Sequence, residues 1–266
     1  MSEKISGRDT LNVAVIQADL LWEDPTGNIE FFESELDKIQ KDSNLVVLPE
    51  TFTTGFTMNA KQFAEGDNST LDWMKYQASK HTVFLAGSCI IREGDRYYNR
   101  LLWVGPDGTS NYYDKRHLFR MGGERDAFSQ GNRRVLVEAM GFRILLQICY
   151  DLRFPVFARN RGDYDIILYV ANWPSSRSHV WDMLLVARAM ENQAYVIGAN
   201  RCGIDGMGDG TSGGSAVIDP KGQKISRLDD QPGILYASLS LPELRAFREK
   251  FPAQEDRDSF TIEGID

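Results

Sequence analysis

The feature that most constrains the fold is an alternation of short apolar segments with amphipathic ones along the chain. Three apolar runs have the length of strands: LNVAVIQADL (11–20), NLVVLPE (44–50) and HTVFLAGSCI (81–90). The segments between them, 28–42 and 69–80, carry apolar residues at helical spacing. Continuous apolar runs are typical of strands that are covered on both faces. This part of the chain therefore predicts a buried sheet with covering helices.

Later segments contain the turn signals of β-hairpins. Residues 97–115 turn at Pro106-Asp107-Gly108, residues 135–151 at Met140-Gly141, and residues 214–226 at Asp219 to Gly222. Further strands are predicted at 165–173 and 194–202, and further helices at 180–192 and 241–251. This α/β pattern predicts two sheets packed together with helices outside, although periodicity equally allows one doubly wound sheet. Because no Pro/Gly/Ser-rich linker occurs, we expect one domain over 1–266, with a polar tail at about 253–266.

Composition excludes several classes of protein. The 266 residues carry a formal net charge of −8, which does not favour binding to nucleic acid or to an anionic membrane. No apolar run is long enough for a membrane span, and the polar N-terminus has no apolar signal segment. Three cysteines in so long a chain are no disulfide framework, so we expect a cytoplasmic protein. No Cys-x-x-Cys, no Cys/His cluster and no phosphate-binding glycine motif is present, which predicts neither a metal nor a nucleotide.

Cys149 is the first residue that could carry chemistry. It stands at the carboxyl end of the apolar strand ILLQICYD, next to the polar residues Asp151 and Arg153. Ligand sites in α/β sheets tend to lie beyond the carboxyl ends of strands. An arbitrary cysteine is more often a buried structural residue, and Cys89 and Cys202 fit that description. Position and charged neighbours distinguish Cys149 from those two.

Three charged residues are weaker candidates when each is taken alone. Glu50 ends the strand LVVLPE, where a solvated strand end is the commoner explanation. Lys115 follows an alternating strand and would ordinarily be a surface charge. Glu124 lies in a glycine-bearing loop, where an acid usually contributes only polarity. The histidines His81, His117 and His179 form no evident triad in sequence, but a Cys–His hydrolase stays open because triads are spatial.

In combination, these segments resemble the nitrilase superfamily of carbon–nitrogen hydrolases. LPETFTTGF contains the acid of that family at Glu50, YDKRHLF its lysine at Lys115, and ICYDLRFP its cysteine at Cys149. GERDAFSQG contains the second acid at Glu124, and the segments 188–203 and 213–222 carry further signatures. The motifs follow the order of the family from VAVIQADL to about Leu241.

The resemblance implies a fold and a mechanism. The family fold is a four-layer α-β-β-α sandwich, usually found as a homodimer. Cys149 is then the nucleophile, Glu50 the base that takes the thiol proton, and Lys115 a cation that favours the thiolate. Lys115 and the backbone N–H of Tyr150 would bind the oxyanion, and Glu124 would orient the lysine. The chemistry requires an amide substrate and water, with no metal or organic cofactor.

The loop after the lysine predicts the substrate. HLFRMGGERDAFSQG is short and similar to the omega-amidase-like branch, whose substrates are small dicarboxylic monoamides such as 2-oxoglutaramate. The far carboxylate of such a substrate needs a cation, for which Arg153 and Arg177 are candidates. Trp173 and Phe119 could form apolar walls. For each of these four residues a purely structural role is at least as plausible.

Three alternatives stay open at this stage. A carbamoylase, an aliphatic amidase or a nitrilase of the same fold is the nearest, although the chain is short for a nitrilase. A catalytically inactive binding or scaffold protein is another, against which stand the intact Glu50, Lys115 and Cys149. A thiol redox protein using Cys149 is disfavoured because no resolving cysteine lies nearby in sequence.

Overall fold

The computed structural model describes residues 9–265. Segment 1–8, where the sequence predicted the absence of a signal peptide, and Asp266 lie outside the described residues. The strands are β1 (Thr10–Gln17), β2 (Leu45–Val47), β3 (Phe84–Glu93), β4 (Arg96–Val104), β5 (Ser110–Asp114), β6 (Leu136–Ala139), β7 (Phe142–Ile148), β8 (Ile166–Ala171), β9 (Tyr195–Asn200), β10 (Cys202–Ile204), β11 (Gly210–Ser212), β12 (Ala216–Ile218), β13 (Lys224–Arg227) and β14 (Gly233–Ser240). The α-helices are α1 (Pro25–Leu36), α2 (Ala60–Phe63), α3 (Ser69–His81), α4 (Glu124–Ala127), α5 (Pro155–Ala158), α6 (Ser178–Asn192) and α7 (Leu241–Lys250).

The long strands form two six-stranded sheets. The first has the order β14-β1-β2-β3-β4-β5, and the second has the order β13-β12-β9-β8-β7-β6. In the first sheet β1, β2 and β3 run parallel, and the β4–β5 hairpin returns the chain so that β5 again runs in their direction. In the second sheet β7, β8 and β9 are parallel. Each sheet therefore has a parallel centre flanked by antiparallel strands.

Alternate residues of β1 show how the layers stack. Val13 and Val15 belong to one apolar cluster with residues of the second sheet such as Ile144. Ala14 and Ile16 point the other way, into the cluster beneath helices α1 and α3. Helix α6 covers the outer face of the second sheet by packing on β9 and β12. The expected α/β class, a four-layer α-β-β-α sandwich, is thereby confirmed.

Two local predictions were wrong. The first helix was expected over 28–42, but α1 begins at Pro25 because the Asp24 side chain accepts a hydrogen bond from the Gly27 amide. It ends at Leu36, and short turns replace helix over 37–42. The strand predicted at 194–202 is interrupted after Asn200. The chain then forms the separate β10–β11 hairpin, which sequence reasoning did not predict.

The expected C-terminal tail packs against the body. Residues 253–256 form a 3-10 turn, and Ile262 and Ile265 lie against the apolar cluster between the sheets. In the stretch from residue 9 to residue 265, no helix is long and apolar enough to cross a membrane.

Candidate active site

Three strand ends bring the predicted site residues together. Glu50 lies three residues after β2, Lys115 directly follows β5, and Cys149 directly follows β7. Because β2 and β5 run in the same direction, their carboxyl ends share one edge of the first sheet. Lys115 and Cys149 line the same cavity, so the end of β7 in the second sheet meets this edge.

Lys115 bridges two carboxylates in the interior. Its Nζ lies 2.8 Å from Oε1 of Glu50 and 2.9 Å from Oε1 of Glu124, and all three side chains are inaccessible to solvent. The ring of Phe56 lies below the ammonium group, with its centroid 5.0 Å from Nζ. An ammonium group has three N–H bonds, so two donors are used and one remains for another acceptor.

Glu50 is held at both carboxylate oxygens. Besides Lys115, the side-chain amide of Asn99 donates to Oε1 at 2.8 Å. The backbone N–H of Asn172 donates to Oε2 at 2.8 Å, and the Asn172 side-chain amide donates to the backbone oxygen of Glu50 at 2.6 Å. The carboxylate therefore has a fixed orientation without help from solvent.

Burial and charge oppose each other at these groups. Burial acts to lower the pKa of Lys115, but the negative charges of Glu124 and Glu50 raise it above its ordinary value, so the ammonium stays charged. Burial and the charge of Glu50 raise the pKa of Glu124, against the opposing effect of Lys115. Two carboxylates and one ammonium carry a net charge of −1 in the cluster.

Cys149 has an unusual backbone. Its φ of 44° lies in the left-handed region, which a residue with a Cβ adopts only at some energetic cost. The sharp turn from β7 into the 3-10 segment Cys149–Arg153 requires this conformation and leaves the residue 9% exposed on a cavity wall. Burial and the charge of Glu50 raise the pKa of the thiol well above its ordinary value, although Lys115 acts in the opposite direction. Thiolate formation therefore needs a proton acceptor, and Glu50 is the neighbouring carboxylate whose charge acts on the thiol.

Asp151 fixes the lysine segment to the cysteine turn. Its buried carboxylate accepts hydrogen bonds from the Tyr113 hydroxyl at 2.7 Å and from the His117 amide at 3.0 Å. These two residues stand two positions before and two positions after Lys115. The same carboxylate contacts the His117 ring and accepts a bond from the Ile148 amide at 2.9 Å. His117 thus belongs to this structural link, and it does not appear among the residues that line the cavity.

A cavity of about 590 Å³ opens onto Cys149 and Lys115. Its walls come from the loops after β2, β5, β7 and β8 and from the tip of the β10–β11 hairpin. The five residues expected to bind substrate all contribute to the lining: Phe119, Tyr150, Arg153, Trp173 and Arg177. The geometry places them together, and their part in binding stays a prediction.

Two of these residues are arginines without an acidic partner. Arg153 lies over the ring of Trp173, with Cζ 5.1 Å from the ring centroid, and Arg177 lies over Phe119 at 5.4 Å. Neither guanidinium is within 4.0 Å of a carboxylate in the part of the chain described. Arginines stacked on aromatic rings and facing a cavity are suited to bind an anion.

Sequence reasoning missed Asn99 and Asn172. Asn99 lies inside β4 and Asn172 just beyond β8, and neither position is unusual for an asparagine at a strand or its end. One signal could have found Asn99: the hairpin turn at 106–108 sets the register in which it stands opposite Lys115. The remaining cysteines, Cys89 and Cys202, are free and buried. Within residues 9–265, no group of three or more His, Cys, Asp or Glu side chains is placed to hold a metal ion.

Comparison with known proteins agrees with this arrangement. The family model described as carbon-nitrogen hydrolase matches residues 12–249. An omega-amidase YafV from Yersinia enterocolitica is 46% identical over 254 residues, with 95% of this chain and 99% of the relative covered. A 2-oxoglutaramate amidase from Bacillus subtilis is 32% identical, with 92% and 96% covered.

A solved structure shows the same fold. The protein XC1258 from Xanthomonas campestris, a CN-hydrolase superfamily protein with an arsenic adduct in the active site, superposes with a TM-score of 0.93. It is 42% identical to this chain, and the match covers 95% of this chain and 99% of that one. The family model and these similarities together show that the chain belongs to the carbon-nitrogen hydrolase family.

Proposed function

We propose that this protein is a cysteine-dependent amidase that hydrolyses the terminal amide of small dicarboxylic monoamides, such as 2-oxoglutaramate, to the acid and ammonia. One observation carries the proposal: Cys149, Lys115 and two arginines without acidic partners line the same cavity. A nucleophile and an anion-binding group at separate points of one cavity suit a substrate with an amide at one end and a carboxylate at the other. The relatives named omega-amidase and 2-oxoglutaramate amidase support the same substrate class.

The first half of the reaction forms a thioester. The Cys149 sulfur attacks the amide carbon while Glu50 takes the thiol proton, so a C–S bond forms and the carbonyl electrons move to oxygen. The free N–H of the Lys115 ammonium and the backbone N–H of Tyr150 stabilise the oxyanion. Glu50 then gives its proton to the nitrogen, the C–N bond breaks, and ammonia leaves.

The second half releases the acid. Glu50 takes a proton from water as the water oxygen adds to the thioester carbon. The tetrahedral intermediate collapses, the C–S bond breaks, and the sulfur recovers its proton from Glu50. The sum is one amide and one water converted into one acid and one ammonia. Glu124 keeps Lys115 in place throughout, by the 2.9 Å contact that fixes the ammonium against Glu50.

The raised pKa of Cys149 determines how the first step starts. A buried thiol beside a carboxylate does not ionise on its own at neutral pH. Proton transfer to Glu50 must therefore accompany the approach of the amide, and Lys115 stabilises the negative charge as it moves from carboxylate to sulfur to oxyanion. Since the cluster has no contact with bulk water, these interactions are strong.

Ammonia release from a panel of compounds tests the substrate class. The purified protein is given 2-oxoglutaramate, glutamine, propionamide, a carbamoyl amino acid and an aliphatic nitrile. We expect the highest kcat/KM for 2-oxoglutaramate. Preference for another compound would retain the cysteine chemistry and reject the substrate class, and release from none of them would favour an inactive binding protein.

We also propose that the protein is a homodimer in the cytoplasm and that the chain forms one domain. Apolar side chains exposed on α5 and α6 support the dimer: Val156, Met183 and Met190 are 57%, 70% and 54% exposed. Three free cysteines suit a reducing compartment. For the homodimer, light scattering should give twice the 30.1 kDa chain mass. For the location, cell fractionation should recover the protein with cytoplasmic markers. For the single domain, calorimetry should show one unfolding transition.

A further inference from the structure

Asn99 stands beside Lys115 on the neighbouring strand. The backbone N–H of Lys115 donates to the Asn99 carbonyl at 3.0 Å, which extends the antiparallel pairing of β4 and β5 by one position. Residues directly opposite each other on antiparallel strands project to the same face of the sheet. Asn99 is 1% exposed, and its side chain therefore reaches the same buried carboxylates as the lysine.

The two donors contact the same pair of oxygens. Asn99 Nδ2 lies 2.8 Å from Oε1 of Glu50 and 3.3 Å from Oε1 of Glu124. Lys115 Nζ lies 2.8 Å and 2.9 Å from those two atoms. Two donors and two acceptors thus alternate around a square. One ammonium carries only one positive charge for two carboxylates, so the amide dipole supplies further stabilisation without adding a proton that can titrate.

The oxygen atom of the Asn99 side-chain amide makes no comparable contact. This atom, Oδ1, is buried and has no hydrogen-bond partner in the described part of the chain. A buried acceptor without a donor destabilises the folded state. Rotating the amide would turn this oxygen against two carboxylates, which is worse. The fold thus tolerates a cost at Asn99, and the benefit must come from the bonds that its nitrogen makes.

We propose that Asn99 is a positioning residue, whose side-chain amide stabilises the Glu50 carboxylate and orients it to exchange a proton with Cys149. This inference rests on the proposed role of Glu50 as the base. The ionisable groups that face Glu50 are Lys115 after β5, Glu124 at the start of α4, and Cys149 after β7. The remaining contacts, from the Asn172 backbone and the Phe56 ring near the lysine, are neutral.

The pH dependence of kcat/KM tests the proposal. Asn99→Leu replaces the amide by an apolar group of similar shape, and Asn99→Ala removes it. A carboxylate that loses a hydrogen-bond donor is in general protonated more readily. We expect the acidic limb of the profile to move up by about one pH unit, and kcat/KM at neutral pH to fall by about 10- to 100-fold. KM should change less than kcat.

Asn160→Ala provides a matched control. Asn160 is a second buried asparagine, whose amide donates to the backbone oxygens of Tyr164 and Asn192 at 3.0 Å and 3.1 Å. It contributes nothing to the cavity lining. Its loss should lower the melting temperature and leave the acidic limb where it is. The proposal would be overturned if the acidic limb of the kcat/KM profile did not shift in either Asn99 variant and kcat/KM fell by the same factor at every pH.

A second readout needs no substrate. The rate at which iodoacetamide alkylates Cys149, measured against pH and corrected with Cys149→Ala, also depends on ionised Glu50 to accept the thiol proton. We expect its acidic limb to shift upward in Asn99→Leu by a similar amount. If the natural protein hydrolyses none of the amides, the proposed function fails while this profile still decides the role of Asn99. Identical alkylation profiles in the natural protein and the variant would refute that role.

Discussion

Two ion clusters, one buried and one partly exposed, lie at opposite ends of the second sheet's strands and have opposite charge balances. The Lys115 cluster (Glu50, Lys115, Glu124) sets two acids against one cation, where β7 ends at Cys149. The Asp165 cluster (Asp165, Arg143, Arg248) sets one acid against two cations, where β8 begins. Both use charged hydrogen bonds of ordinary length. They differ in which charge is in excess and in the exposure of their cations, since Arg143 and Arg248 reach solvent and Lys115 does not.

The titration of the acids follows that balance. At Asp165, burial acts to raise the pKa, but hydrogen bonds from Arg143 and Arg248 bring it below its usual value. At Glu124, burial and the charge of Glu50 raise the pKa, and one lysine does not offset them. An excess of cations makes a carboxylate a stable structural ion. An excess of carboxylates keeps a proton acceptor available next to Cys149, at some expense in stability.

The largest effect is expected at Cys149 itself. Cys149→Ala removes the nucleophile, so turnover of 2-oxoglutaramate should fall by about 10⁴-fold or more. Cys89→Ala removes another buried free thiol and should keep activity near that of the natural protein. Both rates are measured by ammonia release, and circular dichroism checks that both variants fold. Turnover that survives in Cys149→Ala would remove the cysteine from the mechanism.

A smaller effect is expected at the arginines of the cavity. Arg153→Gln and Arg177→Gln each remove a cation that has no acidic partner among residues 9–265. We expect KM for 2-oxoglutaramate to rise by about 10- to 100-fold in at least one of them. Propionamide, which has no carboxylate, serves as the control substrate and should be hydrolysed as before. An equal loss on both substrates would assign the arginine to the fold.

The Asp165 cluster should affect stability without affecting catalysis. Arg248→Gln removes bonds of 2.7 Å to Asp165 and 2.9 Å to the Tyr164 carbonyl. We expect a loss of about 1–2 kcal/mol in the free energy of unfolding at neutral pH, with kcat/KM at 25 °C unchanged. Denaturant titration measures the first quantity and ammonia release the second. A large fall in activity would contradict the separation of the two clusters.

The two clusters should also differ in the sign of their pH dependence. The lowered pKa of Asp165 stabilises the folded protein above about pH 4, and this contribution is lost as pH falls through the folded-state pKa. The loss in free energy of unfolding caused by Arg248→Gln should therefore become smaller in acid. The raised pKa of Glu124 stabilises the folded protein below about pH 4, and this contribution is lost as pH rises. Relative to the natural protein, Glu124→Gln should therefore gain in stability as pH rises above about 4. The melting temperature of each variant is compared with that of the natural protein at pH values below and above about 4. Differences that change with pH in the same direction for Arg248→Gln and Glu124→Gln would contradict this expectation.

Local signals made much of the fold predictable. The turn residues at 106–108 and 140–141 identified the β4–β5 and β6–β7 hairpins, because a tight turn fixes the pairing of its own strands. The early start of α1 was also encoded, in Asp24 followed by Pro25, and was overlooked. The β10–β11 hairpin was not predicted, because its departure from the second sheet depends on tertiary contacts such as the hydrogen bond from the Cys202 amide to the Ala18 carbonyl.

The residues of the candidate site also fall into those that the sequence indicated and those that it did not. Glu50, Lys115 and Cys149 were identifiable because each stands in a characteristic motif at the end of a strand. Asn99 was missed: the hairpin register places it opposite Lys115, but its proposed role depends on two carboxylates that come from residues 49 and 25 positions away. Likewise, nothing in the sequence indicates that the Asn172 backbone amide would bind Glu50 from 122 positions away. Contacts that cross between sheets follow from packing, which a single sequence does not display.

The most direct test of the central claim is mass spectrometry of the enzyme quenched in acid during turnover of 2-oxoglutaramate. We expect an acyl adduct, sensitive to hydroxylamine, on the peptide that contains Cys149, and no adduct in Cys149→Ala. Ammonia release with an adduct at another residue, or with none even in the first turnover, would contradict a thioester at Cys149.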